Sequence, residues 1–343
     1  MDNWKRRLEC LEYDSSVFKS LGVNDDVRTK KEIKKSEIEI TQFGLVLSIA
    51  RSILTRGHKY SPEVAAFARS YINRIPCLLN EKNGYLAINY ENRNILRDFS
   101  KSTCYGEIAQ GINYFFAKNY LGAYAIYDFK YYFDKNNTTG VKLTGRTPDY
   151  VLCYPGGKIG LIESKGTYKP NPTASLVDGH KQCDAGKGSL SKIGVLPSNS
   201  YSSVVSFATS SPRMKRNTII YYADPETDIY KEDLSQTRNR LYEYSKWFYL
   251  MGNEEVTKKL QKGEFIKQSE FDLGRMADGG NIIIGDWDID KELGKKSTRI
   301  RVGIKPSLLE YLVTGKEDVL ENYEHIVLDD SEYFKDGTFM QLV

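Results

Sequence analysis

Cysteine and histidine are scarce in this chain, and neither is spaced for metal binding. The five cysteines, Cys10, Cys77, Cys104, Cys153 and Cys183, are odd in number and widely scattered, which argues against a disulfide framework and a CxxC-type zinc site and fits a reducing cytoplasm. His58, His180 and His325 are the only histidines, and their separation leaves no metal-ligand spacing. Long hydrophobic runs are also missing. The longest apolar stretch, Phe43 to Leu54, is broken by Ser48, Arg51 and Ser52 and is too short to span a bilayer. The opening MDNWKRRLEC lacks the apolar core of a signal peptide. The expectation is a soluble cytoplasmic protein with no membrane partner, in which the sequons at Asn136 and Asn137 go unused. There is no large excess of one charge, since the net value is +4, so charge alone does not mark a nucleic-acid protein. No internal repeat or low-complexity tract is present.

What the chain does contain is enough apolar material for a sizeable core: 343 residues, 40% of them hydrophobic. Tyrosines outnumber phenylalanines 25 to 14, so much of the aromatic surface carries a polar group. Basic runs at Lys5 to Arg7, Arg28 to Lys35, Arg213 to Arg216 and Lys295 to Lys305 are read first as solvated faces, although each is able to touch phosphates.

Three regions are expected. Residues 1–100 read as a helical N-terminal region, with a helix start at Ser61-Pro62-Glu63 and a further apolar stripe from Ile38 to Leu54. Residues 101–225 read as an α/β core: a helix over Thr103 to Leu121, strands at Tyr124 to Phe133, Asp149 to Tyr154, Lys158 to Lys165, Val204 to Thr209 and Thr218 to Tyr222, and a helix near Ser175 to Gly186. Residues 226–343 read as an α+β C-terminal extension, either a separate unit or an elaboration of the same sheet. It opens with a polar helical stretch over Lys231 to Met251, followed by short strands at Ile282 to Trp287, Thr298 to Lys305 and His325 to Leu328 and a short helix at Pro306 to Val313.

The segment from Thr147-Pro148-Asp149 to Glu163-Ser164-Lys165 carries the chemistry. With Pro155-Gly156-Gly157 as a three-residue hairpin loop, Tyr154 faces Lys158 and Asp149 lies opposite Glu163. Glu163 and Lys165 then share a face with Asp149, with Cβ atoms roughly 5 Å apart across the ribbon. Two facing carboxylates repel unless a cation lies between them. Two oxygen ligands plus water and phosphate suit Mg²⁺, for which Mn²⁺ is a ready substitute. An ion so held activates water for phosphodiester hydrolysis, with Lys165 offsetting the anionic transition state.

Pro148-Asp149, a hairpin and Glu163-Ser164-Lys165 together closely resemble the PD-(D/E)XK nuclease superfamily, over roughly residues 103 to 222. The resemblance implies a restriction-endonuclease-like core with a mixed β-sheet flanked by helices, and an Mg²⁺-dependent endonuclease with Asp149, Glu163 and Lys165 as its catalytic core. It implies Glu107, on the preceding helix, as a further acidic member of the site, and the Ser164 carbonyl as a metal ligand beside Asp149, Glu163 and Glu107. It offers Gln110, His180, Lys181 and Gln182 as substrate contacts. DNA is expected as substrate before RNA, because the resembling families act mainly on DNA. Bacterial restriction or anti-phage defence is the expected setting, with an ATPase or similar protein as a partner and a homodimer as a possible form. The alternative is a silent nuclease-fold module that binds nucleic acid or docks a partner.

Other patterns carry less. Gly186-Lys187-Gly188-Ser189 lacks the first glycine and the closing Ser or Thr of a phosphate loop and is read as a turn. Asp286-Trp287-Asp288-Ile289-Asp290 has Lys291 and Ser297 where a calcium loop needs glycine and glutamate, and is read as an exposed acidic turn. Glu32-Ile33-Lys34 has no preceding Pro-Asp and is read as a solvated helix face.

Overall fold

A computed structural model of the chain describes residues 3–14, 16–17, 21–22, 25–57, 59–95, 98–224, 236–270, 280–288, 299–320 and 323–343. The expectations that fall on His58, on 225–235 and on 289–298 lie outside the described residues.

Strands occupy much of the region predicted to be helical. Lys5–Asp14 (β1) buries Leu8 and Cys10 on one face, the period of two that belongs to a strand, and Tyr13 on the other. Lys34–Thr41 (β2) pairs with it antiparallel. Glu32-Ile33-Lys34 therefore leads into a strand, not a helix. The Ile38 to Leu54 stripe also divides: Ile38 and Ile40 follow strand spacing, and the helix Gln42–Ile53 (α1) begins only after Thr41, whose side chain caps it by accepting from the Gly44 amide. The start at Ser61 is borne out by Pro62–Arg69 (α2), capped by the Ser61 side chain, with Tyr71–Leu78 (α3) following.

Leu79–Lys82 (β3) and Tyr85–Ile88 (β4) form a hairpin. After it come helices Tyr90–Ile95 (α4) and Asp98–Asn119 (α5), then Ala125–Asp128 (β5). The strand expected to run to Phe133 stops there, because the Asp128 side chain accepts from the Tyr131 amide and starts the helix Phe129–Asn136 (α6). Tyr150–Cys153 (β6), Ile159–Thr167 (β7), the helix Thr173–Ser191 (α7), Asn199–Ser206 (β8) and Ile219–Asp224 (β9) complete the core.

All nine strands form one mixed sheet in the order β3-β4-β1-β9-β8-β7-β6-β5, with β2 beside β1. α1 and α5 pack on one face, where Ile49, Ile108 and Ile112 join Leu152, Ile162 and Val205 in the main core. α7 covers the other face, with Leu176 and Val177 against Val204, Tyr221 and Tyr13. The chain is thus α/β, with a large mixed sheet flanked by helices.

The remainder comprises Gln236–Leu250 (α8), Glu254–Lys262 (α9), Ile282–Asp288 (β10), Arg299–Ile304 (β11), Pro306–Thr314 (α10), Ile326–Val327 (β12), Ser331–Tyr333 (β13) and Thr338–Leu342 (β14). Its five strands make a second, antiparallel sheet in the order β10-β11-β14-β13-β12. Ile300, Val302, Leu308 and Met340 from this part belong to the same buried cluster as Leu8 and Ile40. Asp286 and Asp288 lie on β10 and pair with Arg301 and Arg299, so the expected acidic turn is strand where it is described. No described helix is long and apolar enough to cross a membrane.

Candidate active site

The β6–β7 hairpin has the predicted register. Gly156 and Gly157 take left-handed φ values of 76° and 70°, a conformation nearly free of cost for glycine, and the Tyr154 amide donates to the Lys158 carbonyl at 2.8 Å. Outward from that turn Cys153 pairs with Ile159 and Tyr150 with Ile162. The next pair is Asp149 and Glu163, where side chains replace the backbone ladder. The Asp149 amide donates to Glu163 Oε2 at 2.9 Å, and the Ser164 amide donates to Asp149 Oδ2 at 3.0 Å. Each acid thus holds the other's strand.

Along β7 the odd residues face α7 and the even residues face α5. Glu163 is only 1% exposed and lies under Gly179 of α7, where an added Cβ would come within 3.3 Å of Glu163 Cγ and 2.4 Å of Ser202 Oγ. Lys165 Nζ makes an ion pair with Glu163 Oε1 and lies 4.0 Å from Asp178 Oδ2. Burial raises the Glu163 carboxyl to about 7, Asp149 adds to the rise, and Lys165 opposes it. Burial works against the charge on Lys165, but Glu163, Asp149 and Asp178 outweigh it and hold the ammonium above its ordinary value.

The even side of β7 is held by Asn113 of α5. Its Nδ2 donates to Ser164 Oγ at 2.7 Å and its Oδ1 accepts from Ser203 Oγ at 2.7 Å, while Ala109 packs where Gly166 leaves room. This helix phase bears on Glu107, which sits roughly 120–160° around α5 from Asn113 and Ala109, on the opposite side of the sheet from Glu163. Glu107 makes no hydrogen bond or ion pair with a described residue, and burial raises its carboxyl. Among the described residues no three His, Cys, Asp or Glu side chains cluster as ligands for one ion. The expected grouping of Glu107 with Asp149 and Glu163 is therefore not seen. Gln110, half-buried on the same helix, is likewise not drawn to the pair.

His180, Lys181 and Gln182 all lie on α7 but diverge. Gln182 Nε2 donates to Asp178 Oδ2 at 2.9 Å, which ties it to Lys165 through that acid. His180 Nε2 is 3.4 Å from Asp184 Oδ2, and Lys181 is exposed. Sequence reasoning missed Asp178, which also takes an exposed ion pair from Arg146 at 3.3 Å. The available signal was its position four residues before Gln182, one helical turn away. It also missed Asn113, whose role depends on two strands that meet only in the fold. The Gly186-Lys187-Gly188-Ser189 segment is helical, not a turn: it lies within α7, and Gly186 is where that helix rests on Pro148.

The donor set suits a hard cation. It offers two carboxylates from the two arms of the hairpin, and the carboxyl whose charge is most opposed is the one a cation would relieve. Mg²⁺ is commonly bound through one or two carboxylates with water and phosphate completing the shell, so a third acid is not required. The chain matches no family model, no curated protein and no solved structure.

Proposed function

We propose that the chain is a metal-dependent nuclease that hydrolyses phosphodiester bonds, with Asp149, Glu163 and Lys165 as its catalytic residues. One observation carries this reading: the hairpin register brings an aspartate, a glutamate and a lysine together just beyond the paired stretch of its two strands. Asp149, Glu163 and the Ser164 carbonyl are the groups that would hold Mg²⁺ or Mn²⁺. When bound, such an ion supplies Lewis-acid stabilisation of a phosphate and lowers the pKa of a water. Lys165, about one-third exposed at its side chain, keeps its charge and is positioned to donate to the attacking water and to the phosphate oxygens. Asn113 and Asp178 act as positioning residues, the first through Ser164 and the second through Lys165.

DNA is the preferred substrate in this proposal and restriction or phage defence the preferred setting, both on the resemblance alone. The test is incubation of purified protein with linear, circular and single-stranded DNA and with RNA, with Mg²⁺, Mn²⁺ or EDTA. Cleavage is expected with either ion, and none with EDTA or in Asp149→Asn and Lys165→Met. Cleavage that persists in both variants would reject the assignment.

A second reading, a silent module of the same fold, is favoured by the burial of Glu163 under Gly179 and by the engagement of both acids in strand contacts. It predicts no cleavage and an equal thermal response to Mg²⁺ in the wild type and Asp149→Asn.

A further inference from the structure

Away from the hairpin, a cavity of about 380 Å³ lies between α1, α5, α8 and the turn joining β13 to β14. Its charged lining comprises Arg51, Lys118, Arg240 and Lys335 against Glu243 and Asp336, and the buried ammonium of Lys246 lies behind Glu243.

Glu243 is already saturated. Its carboxylate accepts from Arg51, Tyr114 (2.7 Å), Lys118 (3.2 Å), Lys246 (2.7 Å) and the Ile126 amide (3.2 Å). Among the described residues Asp336 lies 3.5 Å from Arg51 and 3.8 Å from Lys118, and Glu317 lines the adjoining recess with Arg240, Lys335 and Asp336. Arg240 and Lys335 make no ion pair with a described residue. The polar atoms left over are all donors: Arg51 Nε, Arg240 Nε and the indole N–H of the fully buried Trp247 have no acceptor among the described residues.

A cluster that served only to hold helices together would pair its buried donors, because a buried N–H without a partner is costly. Here the unpaired buried atoms are all donors, and the cations Arg51, Lys118, Arg240, Lys335 and Lys246 still outnumber the acids Glu243, Asp336 and Glu317. The missing component is an anion with several acceptor oxygens, which a phosphate group supplies. The remaining wall is aromatic and apolar, with Phe115, Tyr124, Tyr244 and Phe334 lining it, and its size falls in the range of small-ligand sites.

We propose that this cavity binds a phosphate ester of mononucleotide size, its phosphate held by Arg51, Lys118, Arg240 and Lys335 and its ring set against the aromatic wall. The proposal stands on different residues from the nuclease reading and does not depend on it.

The test uses the full chain and two signals, thermal unfolding and intrinsic tryptophan fluorescence, to which Trp247 contributes beside Trp4 and Trp287, with 5′-AMP, 5′-GMP, 5′-CMP, 5′-UMP, adenosine and inorganic phosphate as probes. At least one mononucleotide is expected to raise the unfolding temperature and change the fluorescence saturably. Adenosine should do neither, and inorganic phosphate should bind at least about tenfold more weakly. Arg240→Ala and Lys335→Ala are each expected to weaken binding by about tenfold or more, the scale of one lost charge-assisted hydrogen bond. Lys335 is exposed, so that variant tests the idea even if Arg240→Ala folds poorly. Absence of any saturable response, equal binding of phosphate and mononucleotide, or unchanged affinity in both variants would overturn the proposal.

Discussion

Glu163 is held in its charged form only against opposition, and that conflict is measurable. Its carboxyl titrates at about 7 in the folded chain, above the ordinary value of 4.5, so the folded state binds this proton more tightly than the unfolded state does. The resulting stabilisation is complete below the unfolded value and is lost as pH rises through about 7. In EDTA, calorimetry should therefore show a stability decline on the order of 1–3 kcal/mol between about pH 5 and pH 8, and Glu163→Gln should flatten it. Mg²⁺ should reverse the decline, raising the unfolding temperature more at pH 8 than at pH 6, and should lose that effect in Asp149→Asn. Amide replacements are the fair comparison. Both acids also accept amide hydrogen bonds from the facing strand, so alanine would unfasten the strands as well as remove the charge. Asn113→Ala should cost about 1–3 kcal/mol, since it strands the buried hydroxyls of Ser164 and Ser203. It should also lower cleavage rate more than substrate affinity.

Among the elements, α7 offers an internal control. An added methyl at Gly179 meets Ser202 Oγ at 2.4 Å, whereas one at Gly188 meets nothing within 4 Å. Gly179→Ala should destabilise by about 1–3 kcal/mol by forcing the helix off the sheet, and should reduce nuclease activity. Gly188→Ala, in the same helix, should stabilise by about 0.5–1 kcal/mol. Chemical denaturation of the pair measures both. The hairpin was legible in the sequence because its determinants are local: two glycines able to take positive φ and a countable register. β1 was hidden because its charges are accommodated by distant partners; Glu12, for instance, accepts from Tyr222 at 2.7 Å. The direction of Glu107 was hidden for a related reason, since the rotation of α5 about its axis is set by Asn113 and Ala109 meeting strands far along the chain. The charged cavity left no sequence signature, because its residues come from four separate segments.

At the scale of the whole molecule, the second sheet is bound to the first through buried polar contacts as well as apolar packing. Glu332, fully buried, accepts from Asn3 at 3.2 Å and from Thr41 at 2.7 Å, and its other oxygen is 2.7 Å from His325 Nε2. With the main core continuous across both sheets, thermal unfolding should be a single calorimetric transition. Two separate transitions would show that the parts are stable independently. The position of β1 has a further consequence for biosynthesis. Its partner on one side, β2, leaves the ribosome soon after it, but the other side is shared by β4, which meets it only at residue 7, and by β9, with which residue 9 pairs at residue 219. Until that segment is translated, the nascent protein carries a bare strand edge, the kind of surface on which chains stick to one another. Ribosome-stalled chains that end before β9 should accordingly be retained by chaperones, and release should come only once that late partner has emerged.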